Sequence, residues 1–455
     1  MGFSKNFIWG ASTASYQIEG AWNEDGKGLS TWDMFTSRPN AIFKNHNGKE
    51  ACDHYHRYLE DIEIMKKIGL KGYRFSFSWP RIIPEGVGEV NEKGLDFYDR
   101  LVDALLEADI CPYPTIYHWD YPLNLYKKGG WLNSDSSNWF AEYTRVLADR
   151  FTDRIEHWMT INEPQVFTWA GHKEGRHAPG LKLDTESLVC VAHNVLLSHG
   201  KAVQTLRSRT KRNLKIGMAP EGIVKIPATN SPQDIEAARQ ATFSMDSDYL
   251  RINTWWMDPV FLGHYPTDGL ELLKEKGPVI NDGDMEIINQ PLDFFGFNNY
   301  FSEVVQHGKE GNIQIISQPP GSPRTAYQWD ITPSALYWGT KFFYERYGKP
   351  IIITENGLSN LDWVSVDGQV HDPQRIDFLT RYLVELEKII EEGIPVLGYF
   401  QWTLMDNFEW GAGYRERFGL VHVDYETQKR TLKDSAKWYA RVISENGANL
   451  TKNLN

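Results

Sequence analysis

Cysteine, basic charge and long apolar runs are the scarce features of this sequence. Its three cysteines, Cys52, Cys111 and Cys190, are too few and too scattered for a disulfide framework or a cysteine-based metal site. That scarcity fits a reducing compartment, and a cytoplasmic location is expected. Forty-eight Lys and Arg stand against 60 Asp and Glu, a net charge of −12, which argues against nucleic acid as a partner. No stretch approaches the roughly 20 apolar residues of a membrane-spanning helix. The opening MGFSKNFIWGAS has no charged start followed by an apolar run, and Asn6 stands where a myristoylation motif needs Ser or Thr. A soluble protein without a membrane partner is expected. Low-complexity tracts, Pro/Gly/Ser linkers and runs of like charge are missing as well. Residues 1–455 are therefore expected to form a single domain.

What the chain has is aromatic and apolar mass: 41% hydrophobic residues, 13% aromatic, 17 tryptophans. Short apolar runs recur, each followed by a helical pattern. The candidate strands are Phe7–Ser12, Gly72–Trp79, Cys111–Trp119, His157–Glu163, Lys215–Pro220, Phe294–Phe301, Pro350–Gly357 and Val396–Thr403. Between them, Leu95, Tyr98, Val102 and Leu105 mark one amphipathic helix; Ile376, Leu379, Leu383, Leu386 and Ile390 mark another. Thr332-Pro333 and Asp372-Pro373 read as caps followed by proline in the first turn, and Gly393 as a stop. Eight strands alternating with helices predict an α/β protein whose parallel sheet closes into a (β/α)₈ barrel. Such barrels take about 250 residues, which leaves long loops, expected after strands one, four, five and six. An open doubly wound sheet would want a Gly-rich phosphate turn after its first strand, and ASTASYQIEG is not one.

Active sites of such barrels lie at the C-terminal strand ends. Those ends here carry Gln17 and Glu19, Arg74, His118 and Trp119, Asn162 and Glu163, Asn298 and Tyr300, Glu355 and Asn356, and Gln401 and Trp402. The stretch FQWTLMDNFEW, Phe400–Trp410, adds aromatic rings beside Asp406 and Glu409. Flat apolar faces next to carboxylates suit a sugar, whose ring has apolar C–H faces and a hydroxyl rim. Glu163 in TINEP and Glu355 in ITENG each end an apolar strand, nearly across the barrel from one another. Paired carboxylates facing a sugar are the apparatus of glycosidic hydrolysis, provided that one is kept protonated near neutral pH.

FIWGASTASYQIEG, YRFSFSWPRI, YHWDYP, TINEP, HAPG, FFGFNNY, ITENG and LMDNFEWGAGYRERFGLVHVDY run end to end through the chain. In these motifs the sequence resembles the retaining β-glycosidases of glycoside hydrolase family 1, the β-glucosidase type. The resemblance implies that Glu163 is the acid/base and Glu355 the nucleophile, with carboxyls about 5–5.5 Å apart. It implies that Arg74, Asn298 and Tyr300 support the nucleophile and that Asn162 binds the sugar 2-hydroxyl. Gln17, His118, Trp119, Glu409 and Trp410 would hold the remaining hydroxyls. Trp402 would be the stacking floor and Trp329 the platform for the leaving group, with Trp169 at the entrance. The substrates implied are β-glucosides, cello-oligosaccharides or aryl glycosides, with β-galactosides and β-fucosides also accepted. No cofactor and no metal are implied, and a homo-oligomer is left open.

Two departures stand out. Ile161 occupies a position where Phe is frequent, and Asn299 one where an aromatic is commoner; Asn299 is expected to point away from the site. Glu409-Trp410 replaces the small residues of 6-phosphosugar enzymes, which makes a phosphorylated substrate the lesser alternative. A transglycosylating enzyme would share both glutamates, whereas a sugar-binding protein on an inactive scaffold would lack one. His54 and His56 are two apart on a helical pattern and diverge, so a metal site there is not expected. His177 in HAPG reads as a structural loop residue near the entrance.

Overall fold

The computed structural model describes residues 2–309 and 311–450. Eight parallel strands form a closed barrel: β1 (Ile8–Ser12), β2 (Gly72–Ser76), β3 (Cys111–Tyr117), β4 (His157–Asn162), β5 (Lys215–Ala219), β6 (Phe294–Asn298), β7 (Ile351–Asn356) and β8 (Val396–Trp402). Each strand pairs with its neighbours in chain order, and β8 closes onto β1 with Ser12 opposite Trp402. All eight expected strands are present. Most stop a residue or more early, because the chain turns into its loop as soon as the ladder ends.

The barrel interior is filled by side chains rather than open. Tyr113, Met159, Ala219, Phe294, Ile352 and Phe400 form a buried cluster inside it. Phe294 and Phe400 fit because glycines face them. A Cβ on Gly217 would lie 2.3 Å from the Phe294 ring, and one on Gly10 2.4 Å from the Phe400 ring. Outside, the helix Glu92–Glu107 buries Leu95, Tyr98, Leu101, Val102 and Leu105 on one face, as its 3.6-residue period requires. The helix Pro373–Glu391 starts on Asp372-Pro373 as expected, with Gly393 at φ 92° just beyond it. Asp372 does not cap by its side chain; it accepts from Arg375, Ser435 Oγ and the Ser435 amide instead. Before the helix Ser334–Tyr347, the proline has moved from the first turn to the cap position. Thr332 Oγ1 there accepts from the Ser302 amide, so it braces a loop rather than the helix.

The long loops carry structure of their own. Lys225–Pro227, Glu303–His307 and Ile313–Ile316 make a small sheet beside the mouth, and Val421–Val423 pairs with Arg430–Leu432. A buried charge network ties the loops after β7 and β8 together. Lys433 Nζ donates to Asp362 at 2.5 Å and Asp406 at 2.7 Å, and Arg375 donates to Asp362 at 2.7 Å. Arg417 closes it on Asp406 at 2.6 Å. Removing one member of such a buried network costs about 3–5 kcal/mol, since its partner is left charged and unpaired. Among the described residues no helix is long and apolar enough to cross a membrane.

Candidate active site

Strand register brings the site together. Asn162 pairs with Ala219, Glu355 with Asn298, and Ser12 with both Arg74 and Trp402, so their side chains emerge at one level. They open into a cavity of about 220 Å³ whose lining includes Glu163, Glu355, His118, Trp119, Tyr300 and Trp402, with Trp329, Glu409 and Trp410 beside them. Gln17, Arg74, Asn162 and Asn298 are fully buried immediately behind it.

Glu355 is held by two donors on different oxygens. Arg74 Nη1 donates to Oε1 at 2.5 Å and the Tyr300 hydroxyl to Oε2 at 2.6 Å. Arg74 also donates through Nη2 to Asn162 Oδ1 at 2.6 Å. Asn298 Nδ2 reaches both that oxygen, at 3.0 Å, and Glu163 Oε1, at 2.9 Å. A continuous chain of hydrogen bonds therefore joins the two carboxylates through Arg74, Asn162 and Asn298. Thr354 fixes the Asn298 amide by donating to its Oδ1 at 2.5 Å. The arrangement separates the two acids electrostatically. Glu355 is ion-paired with a buried guanidinium, whereas among the described residues no cation forms an ion pair with Glu163. Burial pushes the Glu163 carboxyl well above the ordinary glutamate range, and the nearby charge of Glu355 adds to the effect.

The remaining polar groups point at a ligand rim. Gln17 Nε2 donates to the Phe408 carbonyl at 2.8 Å, which leaves Oε1 without a partner among the described residues. His118 takes a 3.0 Å contact from Asn162 Nδ2 on Nε2, and its Nδ1 is likewise unpartnered. Burial and the Arg74 charge keep this imidazole neutral by pushing its pKa well down. Glu409 is pushed up to about 8, by burial first and then by the charges of Glu355 and Glu416. The Trp119 indole N–H donates to the Asn162 carbonyl at 2.9 Å. What Trp119 offers the cavity is therefore its ring, not a donor. Trp119, Glu163 and Trp410 have φ of 83°, 41° and 44°. Non-glycine residues held there cost about 1–3 kcal/mol each and cluster at functional sites.

Trp329 stacks with Tyr327 (4.7 Å, 6°) and with Phe301 (5.2 Å, 24°), and Phe418 lies 6.0 Å away. Tyr327, Phe301 and Phe418 line the cavity with it, as do Arg176, His177, Glu221 and Arg251. None of these seven was singled out as a ligand contact from sequence. The aromatic pair in YQW was a usable signal, but nothing local marks Arg251 or Phe418. His177 lies within 5.8 Å of the Trp119 ring and is buried at the cavity wall, closer to the site than a loop residue near the entrance. Trp169 packs edge-on to Tyr249 and donates to Glu174, away from the lining. In the Phe400–Trp410 stretch only Trp402, Glu409 and Trp410 reach the cavity. Phe400 fills the barrel, Phe408 packs on Tyr16, and Asp406 joins the buried charge network. Asn299 is turned away as expected, donating to the Gly222 carbonyl at 3.0 Å. His54 pairs with Asp61 while His56 faces Asp53 and Glu24.

Asp120, next to Trp119, is buried and accepts from Ser15 Oγ at 3.0 Å. Burial pushes its pKa up to about 7. Between about pH 4 and pH 7 the folded state thus keeps a proton that the unfolded chain has released, so stability falls as pH rises through that window. Asp120→Asn should flatten this decline. Thermal melts at pH 4.5 and pH 8 check it: the drop in Tm between them should be smaller in the variant by several degrees.

A parallel barrel with carboxylates of opposite character at its mouth, walled by tryptophans and amides, is built for work on carbohydrates. The chain belongs to glycosyl hydrolase family 1, whose family model matches residues 1–448. It is 46% identical over 446 residues to a 1,4-beta-D-glucan glucohydrolase of Thermotoga neapolitana, covering 98% of this chain and 99% of the relative. Beta-glucosidase A of Acetivibrio thermocellus is also 46% identical, with 98% and 99% coverage. Among solved structures, a beta-glucosidase from Thermotoga maritima in complex with glucoimidazole superposes with a TM-score of 0.90. It shares 44% identity over 98% of this chain and 99% of that one.

Proposed function

We propose that the protein is a retaining β-glucosidase that removes terminal β-D-glucosyl residues, with the whole chain acting as one barrel domain. The observation that carries this reading is the contrast between its two glutamates: Glu355 bound by Arg74 and Tyr300, and Glu163 buried with a raised pKa in the same cavity. An ionised nucleophile beside a protonated acid is what double displacement needs. Glu355 attacks the anomeric carbon, the glycosidic C–O bond breaks, and the departing oxygen takes the proton of Glu163. Water then gives a proton to Glu163 and attacks the same carbon, which frees Glu355 and releases the sugar with its β configuration.

Gln17, His118, Glu409 and Trp410 would bind the hydroxyl rim, with Asn162 on the 2-hydroxyl and Trp402 beneath the ring. Trp119 contributes a wall, and Trp329 with Tyr327 and Phe301 the leaving-group side. Beside Gln17, Glu409 offers a 6-phosphate only a neutral or negative group, which supports an unphosphorylated sugar. The names of the relatives, β-glucosidase and glucan glucohydrolase, support the same substrate class. The free thiols of Cys52, Cys111 and Cys190 fit a cytoplasmic protein.

A hydrolysis panel tests the reading: aryl β-glucoside, β-galactoside, β-fucoside, β-mannoside and 6-phospho-β-glucoside. The β-glucoside should be cleaved, with β-galactoside and β-fucoside as secondary substrates. Cleavage of the phosphorylated substrate alone would overturn the role of Glu409 and Trp410, and silence on every substrate would overturn the activity.

A further inference from the structure

A fourth carboxylate, beside Glu163, Glu355 and Glu409, lies at the cavity wall. Glu221 follows β5 directly, and its main chain is clamped to the segment that carries Glu163. Gln165 Nε2 donates to the Glu221 carbonyl at 2.8 Å, the Glu221 amide donates back to Gln165 Oε1 at 3.3 Å, and the Glu163 amide donates to Ala219 O at 2.8 Å. Gln165 is fully buried, so the two glutamates cannot drift apart. Arg251, from the loop ahead of the helix Asn253–Phe261, forks onto Glu221: Nε donates to Oε2 at 2.7 Å and Nη2 to Oε1. The side chains of Glu221 and Arg251 are 17% and 24% exposed, so this pair is only lightly screened by water.

We propose that Arg251 and Glu221 are positioning residues for the reaction: a carboxylate tethered beside Glu163 and the guanidinium that cancels its charge, so that Glu355 alone governs the Glu163 proton as the reaction proceeds. The inference rests on Glu163 being the acid of the proposed glycosidase. Glu163 faces Glu355 from β7, Asn298 from β6, and Glu221 and Arg251 from the loops after β5, with Arg176 at the cavity rim. Of these, Glu355 changes charge during the reaction, because it becomes an ester. The Glu221–Arg251 pair does not, so it supplies a constant background. Glu221 alone would hold the proton on Glu163, which suits the first half of the reaction and obstructs the second, where Glu163 must act as a base. Arg251 cancels that bias. The physical effect runs in both directions: the Glu221 charge raises the Glu163 pKa and the Arg251 charge lowers it.

The test is the pH profile of kcat/KM on a phenyl β-glucoside, whose poor leaving group needs the acid. Arg251→Gln leaves Glu221 uncompensated, and the basic limb should move up by about one pH unit. Glu221→Gln leaves Arg251 uncompensated, and the limb should move down by a similar amount. The double variant should return it close to the wild-type position, and Arg251→Lys should keep it there. A dinitrophenyl β-glucoside, which needs no proton to leave, should show far smaller shifts. Loss of packing alone would not move the limb in opposite directions, nor would the double variant restore it. If Arg251→Gln fails to fold, Glu221→Gln decides the matter, since an unmoved limb in that variant overturns the inference. Failure of the wild type on both glucosides would instead overturn the glycosidase reading itself.

Discussion

Glu355→Ala will lose activity on aryl β-glucosides by on the order of 10⁵-fold, with the fold intact. The side chain removed is the nucleophile of the proposed reaction, and no second carboxylate can replace it. In the proposed reaction Glu163 lies on the leaving-group side and must carry a proton, Glu409 belongs to the hydroxyl rim, and Glu221 is held by Arg251. The variant also leaves room beside the anomeric carbon and an unpaired Arg74 guanidinium facing it. A small anion such as azide or formate should enter that space, attack from the face that Glu355 used, and restore part of the activity. The expected product is the α-configured glycosyl adduct, read by NMR. A β-configured adduct would mean that attack came from the other face, and full activity without added anion would mean that Glu355 is not the nucleophile.

Glu163→Gln should show a loss that depends on the leaving group. General acid catalysis contributes about 10²–10⁴-fold, so a phenyl β-glucoside should slow by that much. A dinitrophenyl β-glucoside departs without a proton, so formation of its covalent intermediate should be nearly unaffected. Its hydrolysis should then stall, because no base activates water, and a burst of dinitrophenol should precede slow turnover. In the wild type the raised pKa of Glu163 has a definite sign. The protonated form persists above the ordinary glutamate range, and kcat/KM for poor leaving groups should fall only as pH rises through that shifted value. The basic limb should vanish in the Gln variant, whose amide does not titrate. Equal losses on both substrates, without a burst, would remove Glu163 from the acid role.

The parts of this site that were legible in the sequence lie on or against the barrel strands. Arg74, Asn162, Asn298 and Glu355 end apolar runs or sit within them, and a strand repeats its direction every two residues. Once eight strands close in chain order, residues at their C-terminal ends face one mouth, whatever the loops do. Tyr327, Phe418, His177 and the Glu221–Arg251 pair lie beyond strand ends. Their positions follow from loop paths of many residues, with contacts that no local pattern encodes. Glu221 and Arg251 are 30 residues apart and meet only because two loops converge. Trp119 illustrates a different limit: its N–H is occupied by the Asn162 carbonyl of the neighbouring strand, which type and position do not reveal.

The Phe400–Trp410 stretch marks the boundary most sharply. Its composition called for rings and acids beside a sugar, and Trp402, Glu409 and Trp410 do line the cavity. Asp406 looked equivalent to Glu409 and is not. It lies buried between Lys433 and Arg417, where its charge is neutralised and its role is to hold loops. The strands, the closure of the barrel and the position of Glu163 and Glu355 at two strand ends are legible in the chain alone, because periodicity and strand ends are local properties. Which acid is ion-paired with a buried cation and which is not among the described residues follows from the folded chain alone. That difference depends on neighbours brought from distant parts of the chain, and it separates Glu355 from Glu163 and Asp406 from Glu409.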